Sequence, residues 1–285
     1  MGSLQETGKK MIPGMQPKFA VNEITAKKVE DPRKSEDFHP FVWYMLVVRH
    51  AKQFDYIDTH SGITSEGLNQ AEEFANVLAL GYDFKNNSSD LIVRIRHSTR
   101  ERAKQTANAV FNRLNAIVGE NGFDHITIRE PREDGMLTEG ADSVNKVVEK
   151  KLSERKTNIQ EIPDEELGER IKEEAISEWR EGNFPHLLKR GIDKRVIAKQ
   201  KALEFLKKEK KPAIRIDVLI GHEATVLAST IKGVKTYGKA FSGRIGFLEF
   251  CELRLTADSG NVSYTFRNKQ FIEDLSKEFN RGLEE

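Results

Sequence analysis

Cysteine is almost absent, with Cys251 the only one in 285 residues. A single thiol excludes an intramolecular disulfide and a cysteine-based zinc cluster, and it suits a reducing compartment, so the expected location is cytoplasmic. An excess of one charge is also missing. Lys and Arg total 46 against 45 Asp and Glu, a formal net charge of +1. No global field therefore draws nucleic acid or an anionic membrane, and any charge selectivity must be local. No apolar run approaches the roughly 20 residues that span a bilayer. The first residues lack the basic-then-apolar pattern of a secretory leader. Neither nucleic acid nor membrane is expected as a partner. No internal repeat or low-complexity tract is present, and oligomeric state is not legible.

Residues 1–40 are polar and hold four of the eight prolines, the composition of a loosely ordered arm. Residues 41–48 form a continuous apolar, aromatic and β-branched run that predicts a buried central strand, ending on Arg49-His50. Thr64 reads as a helix N-cap with Glu66 in the first turn, and Leu68, Ala71, Ala75 and Leu78 give one apolar stripe as far as Gly81. Residues 90–95 predict a second strand. It runs into Ser98-Thr99-Arg100-Glu101-Arg102, where Ser98 and Glu101 have capping-box spacing ahead of another helix. A short strand is expected at 125–128, then a loop at Leu137-Thr138-Glu139-Gly140, then charged helices over 143–155, 163–181 and 192–208. Residues 214–220 predict a strand ending at Gly221-His222, with a helix over 224–231. Residues 245–255 and 262–266 predict two closing strands joined at Ala257-Asp258-Ser259-Gly260, and the tail from Ile272 is helical at best.

Alternating strands and helices predict an α/β fold: three layers, α/β/α, with a mostly parallel central sheet. A helical insertion, about residues 142–211, packs over the sheet; the domain spans 41–270, and 271–285 is a C-terminal tail.

Arg49-His50, the Ser98–Arg102 segment and His222 each follow a predicted strand. In an open parallel sheet the loops after the carboxyl ends of the strands form the ligand crevice, so these basic sites converge on one rim. Two guanidiniums beside two imidazoles suit a dianionic phosphoryl group. Arg49 and Arg102 stay charged and offer fork geometry, and Arg102 lies in a first helical turn that itself favours anions. A neutral imidazole can attack phosphorus while the arginines offset charge on the equatorial oxygens, and a carboxyl group must serve the leaving oxygen. This chemistry calls for no metal and no cofactor.

These segments resemble the histidine phosphatase superfamily, the phosphoglycerate-mutase-like fold, over about residues 41–267. The carriers are Leu46-Val47-Val48-Arg49-His50-Ala51, Ile63-Thr64-Ser65-Glu66-Gly67-Leu68-Asn69-Gln70-Ala71, Ser98-Thr99-Arg100-Glu101-Arg102-Ala103-Lys104-Gln105-Thr106-Ala107 and Ile220-Gly221-His222-Glu223. The resemblance implies a phosphatase acting through a phosphohistidine on His50, with Arg49, Arg102 and His222 binding the phosphoryl group and His222 also counted with the catalytic set. The implied substrate is a phosphorylated small molecule or a phosphoprotein. Leu137-Thr138-Glu139-Gly140-Ala141 is similar to the segment carrying the acid/base carboxylate in the Ser/Thr protein phosphatase branch, which implies Glu139, with Glu130 and Glu133 as rivals. Ala51 stands where glycine is usual, and alanine there, with a pair like His222-Glu223, is similar to the phosphohistidine phosphatases. Lys52-Gln53-Phe54-Asp55 and Thr59-His60-Ser61-Gly62 depart from the mutase pattern. A mutase-type phosphotransferase and an inactive phosphate-binding module are the alternatives.

Several residues carry a plainer reading. His97, beside Ser98, serves local structure, and His39 is a loop residue beside Pro40. Trp179, Phe184 and His186 fall to core packing rather than to a pocket lining. Residues 207–211 are a solvated helix end. His60 and Lys52 are secondary candidates for substrate contact.

Overall fold

The computed structural model describes residues 41–53, 61–87, 89–154, 165–210, 213–231, 233–234, 244–257 and 261–275, with backbone alone for 165–169 and 172. The N-terminal arm, His39, His60, Pro163-Asp164 and most of the turn at 257–260 lie outside the described residues.

The elements run in the order β1 (Phe41–Arg49), α1 (Ser65–Gly81), β2 (Leu91–His97), α2 (Glu101–Asn121), β3 (Ile126–Glu133), α3 (Met136–Glu154), α4 (Glu165–Glu181), α5 (Phe184–Lys208), β4 (Ala213–Gly221), α6 (Glu223–Ser229), β5 (Phe250–Thr256), β6 (Asn261–Phe266) and β7 (Lys269–Asp274). The strands form one sheet in the order β3-β2-β4-β1-β5-β6-β7. β1, β2, β3 and β4 are mutually parallel, while β5, β6 and β7 add antiparallel strands on the far side of β1.

β1 lies in mid-sheet and both its faces are covered, which is why its sequence is apolar without alternation. Leu46 and Val48 pack into a cluster with α1 and α2; Trp43, Met45 and Val47 pack into a second cluster with α3, α4, α5 and α6. The two clusters are the two interlayer cores of the expected α/β sandwich.

Local chemistry fixes the elements around the strand ends. Thr64 caps α1 as its side chain accepts from the Gly67 amide at 2.9 Å, and the Thr64 amide donates to the Lys52 carbonyl at 2.9 Å. A Cβ on Gly67 would lie 2.2 Å from that carbonyl oxygen, so only glycine lets α1 start against the loop after β1. Within the insertion α4 is tied to α3 by Trp179, whose indole donates to Ser143 Oγ at 2.7 Å in the core. Such a bond contributes about 1 kcal/mol net, and losing the acceptor would cost more by stranding the indole N–H.

Four expectations are corrected. Residues 137–140 are not a loop, because α3 begins at Met136 and Gly140 sits in its first turns, where a side chain would crowd Leu188 and Ala224. Residues 245–249 precede β5 as an irregular loop with Leu248 at φ 56, not a strand. The segment around Ile272 is the edge strand β7 rather than helix or coil. Ser98 does not cap α2: the N-cap is Arg100, with no side-chain hydrogen bond to the helix.

Candidate active site

The carboxyl ends of β1, β2 and β4 meet through the sheet register. Arg49 is level with Gly221, and His97 is level with Ile220. The His50 amide then donates to the Gly221 carbonyl at 3.0 Å and the Ser98 amide to the Ile220 carbonyl at 3.0 Å. Arg49-His50, Ser98 and His222 are therefore brought together by backbone pairing before any side chain is considered.

His50 is 3% exposed. Its Nδ1 lies 2.8 Å from the Ala51 carbonyl, and its Nε2 receives Arg102 Nε at 3.1 Å. A guanidinium can only donate, so Nε2 carries the lone pair and Nδ1 the proton. Burial, then His222, Arg102 and Arg49, hold the imidazole well below the usual histidine range, against a smaller opposite effect of the Ala51 carbonyl. The ring is neutral at neutral pH, with its Nε2 lone pair facing a cation. The His222 ring is edge-on to it at 5.2 Å between centroids, and His222 Nε2 pairs with Ser98 Oγ at 2.8 Å.

Arg49 is held from the opposite side. Its Nη1 donates to the Ile245 carbonyl and lies 3.8 Å from Glu223 Oε2, while its guanidinium carbon sits 4.3 Å above the Phe247 ring. Phe247 also borders His50, at 5.9 Å between ring centroids. Burial alone would raise the Glu223 carboxyl, but Arg49, Arg244 and hydrogen bonds from Arg244 and the Ile245 amide outweigh it and hold it below its ordinary value. Glu223 is thus an ionised brace that fixes Arg49 and the 244–249 loop.

The Gln-Thr that follows Arg102 holds the loops. Thr106 Oγ1 donates to the Arg102 carbonyl at 2.7 Å and accepts from the Ala51 amide at 3.1 Å; Gln105 Oε1 accepts from the Ile63 amide at 2.9 Å. The first turn of α3 reaches the same rim, because Thr138 Oγ1 accepts from the Thr99 amide at 2.9 Å. Glu139, the next residue, is exposed. Glu130 lies within β3, while Glu133 ends it level with His97.

Reasoning from sequence placed Arg49, His50, Arg102 and His222 on this rim, and the geometry brings them together. It missed Ser98 as the partner of His222, Phe247 as the platform under Arg49, and Glu223 and Arg244 as the brace. Only the adjacency of Glu223 to His222 was available as a signal. Lys52 pairs with Glu66 at 2.6 Å, and His97 bonds the Ser98 carbonyl through Nδ1 at 2.8 Å as a local support. Trp179 is in the core, whereas Phe184 and His186 are exposed at the start of α5. Among the described residues, no group of three or more His, Cys, Asp or Glu side chains is placed to hold a metal ion, and no helix is long and apolar enough to cross a membrane.

No family model matches the sequence. No curated protein matches it. Among solved structures, the chain is similar to a mycobacterial glucosyl-3-phosphoglycerate phosphatase, at 15% identity over 75% of this chain and 90% of the other, TM-score 0.38. It is also similar to a phosphoglycerate mutase from Plasmodium falciparum, at 14% identity over 81% and 89%, TM-score 0.34. The putative phosphohistidine phosphatase SixA from Agrobacterium tumefaciens stands at 17% identity over 75% and 95%, TM-score 0.33. At these values the likeness assigns no activity. The structures that this chain is similar to include phosphatases and mutases of the histidine phosphatase superfamily.

Proposed function

We propose that this protein is a phosphatase that hydrolyses a phosphomonoester through a phosphohistidine on His50. The observation that carries the reading is the buried, neutral His50 with its Nε2 lone pair held toward Arg102. A structural histidine gains nothing from three cationic or imidazole neighbours that oppose its protonation, whereas a nucleophile that must stay unprotonated beside a bound dianion does.

In the proposed reaction the phosphoryl group displaces the contact between Arg102 and Nε2. The Nε2 lone pair forms the N–P bond as the bond from phosphorus to the leaving oxygen breaks in line. Arg49 and Arg102 donate to the equatorial oxygens, and His222 becomes a further donor once its Nε2 N–H turns from Ser98 Oγ to the phosphoryl group. Glu139 protonates the leaving oxygen. In the second half the same carboxylate takes a proton from water, the resulting oxygen attacks phosphorus, and the N–P electrons return to Nε2 as phosphate departs. Burial of Arg49 and Arg102 makes their charge count for more than it would in water.

The test is rapid-quench trapping of an acid-labile phosphoenzyme from an aryl phosphate, alongside steady-state turnover, with His50→Ala as control. The expected result is a phosphoenzyme in the native protein and loss of both signals in the variant. Full hydrolysis by the variant would overturn the reading. Interconversion of 3- and 2-phosphoglycerate dependent on a bisphosphate primer would replace it with the mutase alternative. Absence of any phosphoenzyme across phosphopeptides, phosphohistidine, sugar phosphates and nucleotides would replace it with the binding module.

A further inference from the structure

The site leaves unused a group of arginines on the same sheet. Register places Arg94 level with both Arg129 and Asp217, Arg96 level with Arg132, and Ile92 level with Arg215. Residues level in a parallel ladder project to the same side. On β2 the alternate residues Leu91, Val93 and Ile95 are buried in the core shared with α2, so the arginines occupy the opposite face. There Arg129 and Arg132 are exposed, and Arg94, Arg96 and Arg215 are half-buried. Asp217 is already bound to Arg94 at 2.8 Å and to Lys199 of α5 at 3.2 Å, and Asp134 is bound to Arg195. Burial, then Arg94 and more weakly Arg129, lower the Arg215 guanidinium, against the opposing charges of Asp90 and Asp217. Cations outnumber anions here even with Glu130 and Glu133 exposed on the same edge strand.

Like charges level on neighbouring strands oppose sheet pairing, so the Arg94–Arg129 and Arg96–Arg132 adjacencies are a cost to the fold, with Arg94 itself anchored by Asp217 and the Trp43 ring. The forks left open to solvent are those of Arg129 and Arg132, which a register shift on β3 sets three residues apart yet level with Arg94 and Arg96. With strands about 4.8 Å apart, carboxylates along an extended acidic chain can reach them. Nucleic acid would supply charge as well, but its bases need a stacking surface. Among the described residues, the ring against Arg94 and Lys199 is Trp43, which is 4% exposed and so offers no stacking surface. Pro131 removes a backbone donor from the edge strand β3, which points to recognition through side chains rather than by strand addition. From Arg94 the strand reaches Ser98, the partner of His222, in about 13 Å, the length of roughly four extended residues.

We propose that this arginine face of β2, β3 and β4 docks an acidic segment of a protein substrate a few residues from its phosphorylated side chain. The docking claim stands on the surface alone; its substrate role rests on the phosphatase reading.

The two are tested separately. Fluorescence anisotropy of an unphosphorylated polyglutamate peptide on the full chain reports docking without catalysis. Salt-sensitive binding is expected for the native protein and for His50→Ala, with about tenfold weaker binding for Arg129→Glu/Arg132→Glu. Arg129→Ser/Arg132→Ser, which adds no negative charge, should weaken binding in the same direction. In turnover, the double Glu variant should raise KM for a phosphopeptide with an acidic flank about tenfold, leaving its kcat, a neutral-flanked peptide and an aryl phosphate unchanged. Absent aryl phosphate hydrolysis would sink the phosphatase reading while the anisotropy still decides docking. Equal peptide binding by native and variant proteins would overturn the docking site, as would an oligonucleotide of equal charge binding more tightly than the peptide. Self-association in sedimentation that is lost in the variant would reassign the face to contact between copies of this chain. Binding without a kinetic advantage for acidic flanks would overturn the substrate role.

Discussion

Substituting His50 by glutamine should change how stability responds to acid, by an amount set by the burial of the imidazole. Unfolded, His50 titrates near the ordinary histidine value of about 6.5; folded, burial, His222, Arg102 and Arg49 hold it well below. Between these values the unfolded chain binds one more proton, so the native state loses stability as pH falls below the unfolded value. The contribution is fully present at higher pH. Each pH unit in that window is worth about 1.4 kcal/mol. One unit below the unfolded value, near pH 5.5, the loss is about 1.4 kcal/mol. His50→Gln removes this one titration. Urea unfolding of native and variant proteins at about pH 7.5 and about pH 5.5 reads the difference, as midpoint shifts at constant slope. The native protein should lose about 1.4 kcal/mol more than the variant over that interval. Parallel losses would mean that His50 is not held neutral, and the argument for an unprotonated nucleophile would fall with it.

Arg102→Lys keeps the charge but loses the planar fork and the Nε donor that faces His50, so kcat/KM for an aryl phosphate should fall about a hundredfold or more. A loss under about threefold would reduce Arg102 to a point charge. Glu139→Gln should slow hydrolysis of an alkyl phosphate about a hundredfold yet leave phosphoenzyme formation from a good aryl leaving group largely intact. Equal loss on both substrates would remove Glu139 from the acid role and return it to Glu130 or Glu133.

The sites legible in the sequence were those where an apolar run stops on a polar side chain. β1 ends on Arg49, β2 on His97 and β4 on Gly221 before His222, and strand ends of a parallel sheet share one rim whatever lies between them. Misread residues obeyed a local rule that a distant partner overrode. Ser98 has capping spacing with Glu101, but its hydroxyl is taken by His222, 124 positions away. Ile245, Phe247 and Leu248 have strand composition, but the left-handed φ at Leu248 turns the chain so that it packs against Arg49. β7 escaped detection because an edge strand tolerates Lys269, Gln270 and Asp274 in the open, while Glu273 is buried against Lys189, a partner 84 positions away. Glu223 as a brace depended on where the 244–249 loop comes to rest, which no nearby residue announces.

The position of β1 between β4 and β5 bears on how the molecule breathes. The His50 amide is bonded to Gly221 on one flank, and on the other the Arg49 amide is bonded to Glu249 while the Arg49 carbonyl accepts from Leu248. Local fluctuation cannot release the His50 backbone without parting the middle of the sheet, so the amides of Arg49 and His50 should exchange with deuterium only through global opening. Among the described residues, the helices α3, α4 and α5 make no such backbone bond to β1. A chain built this way can accumulate changes in its helical cover while the strand that ends beside His50 keeps its place.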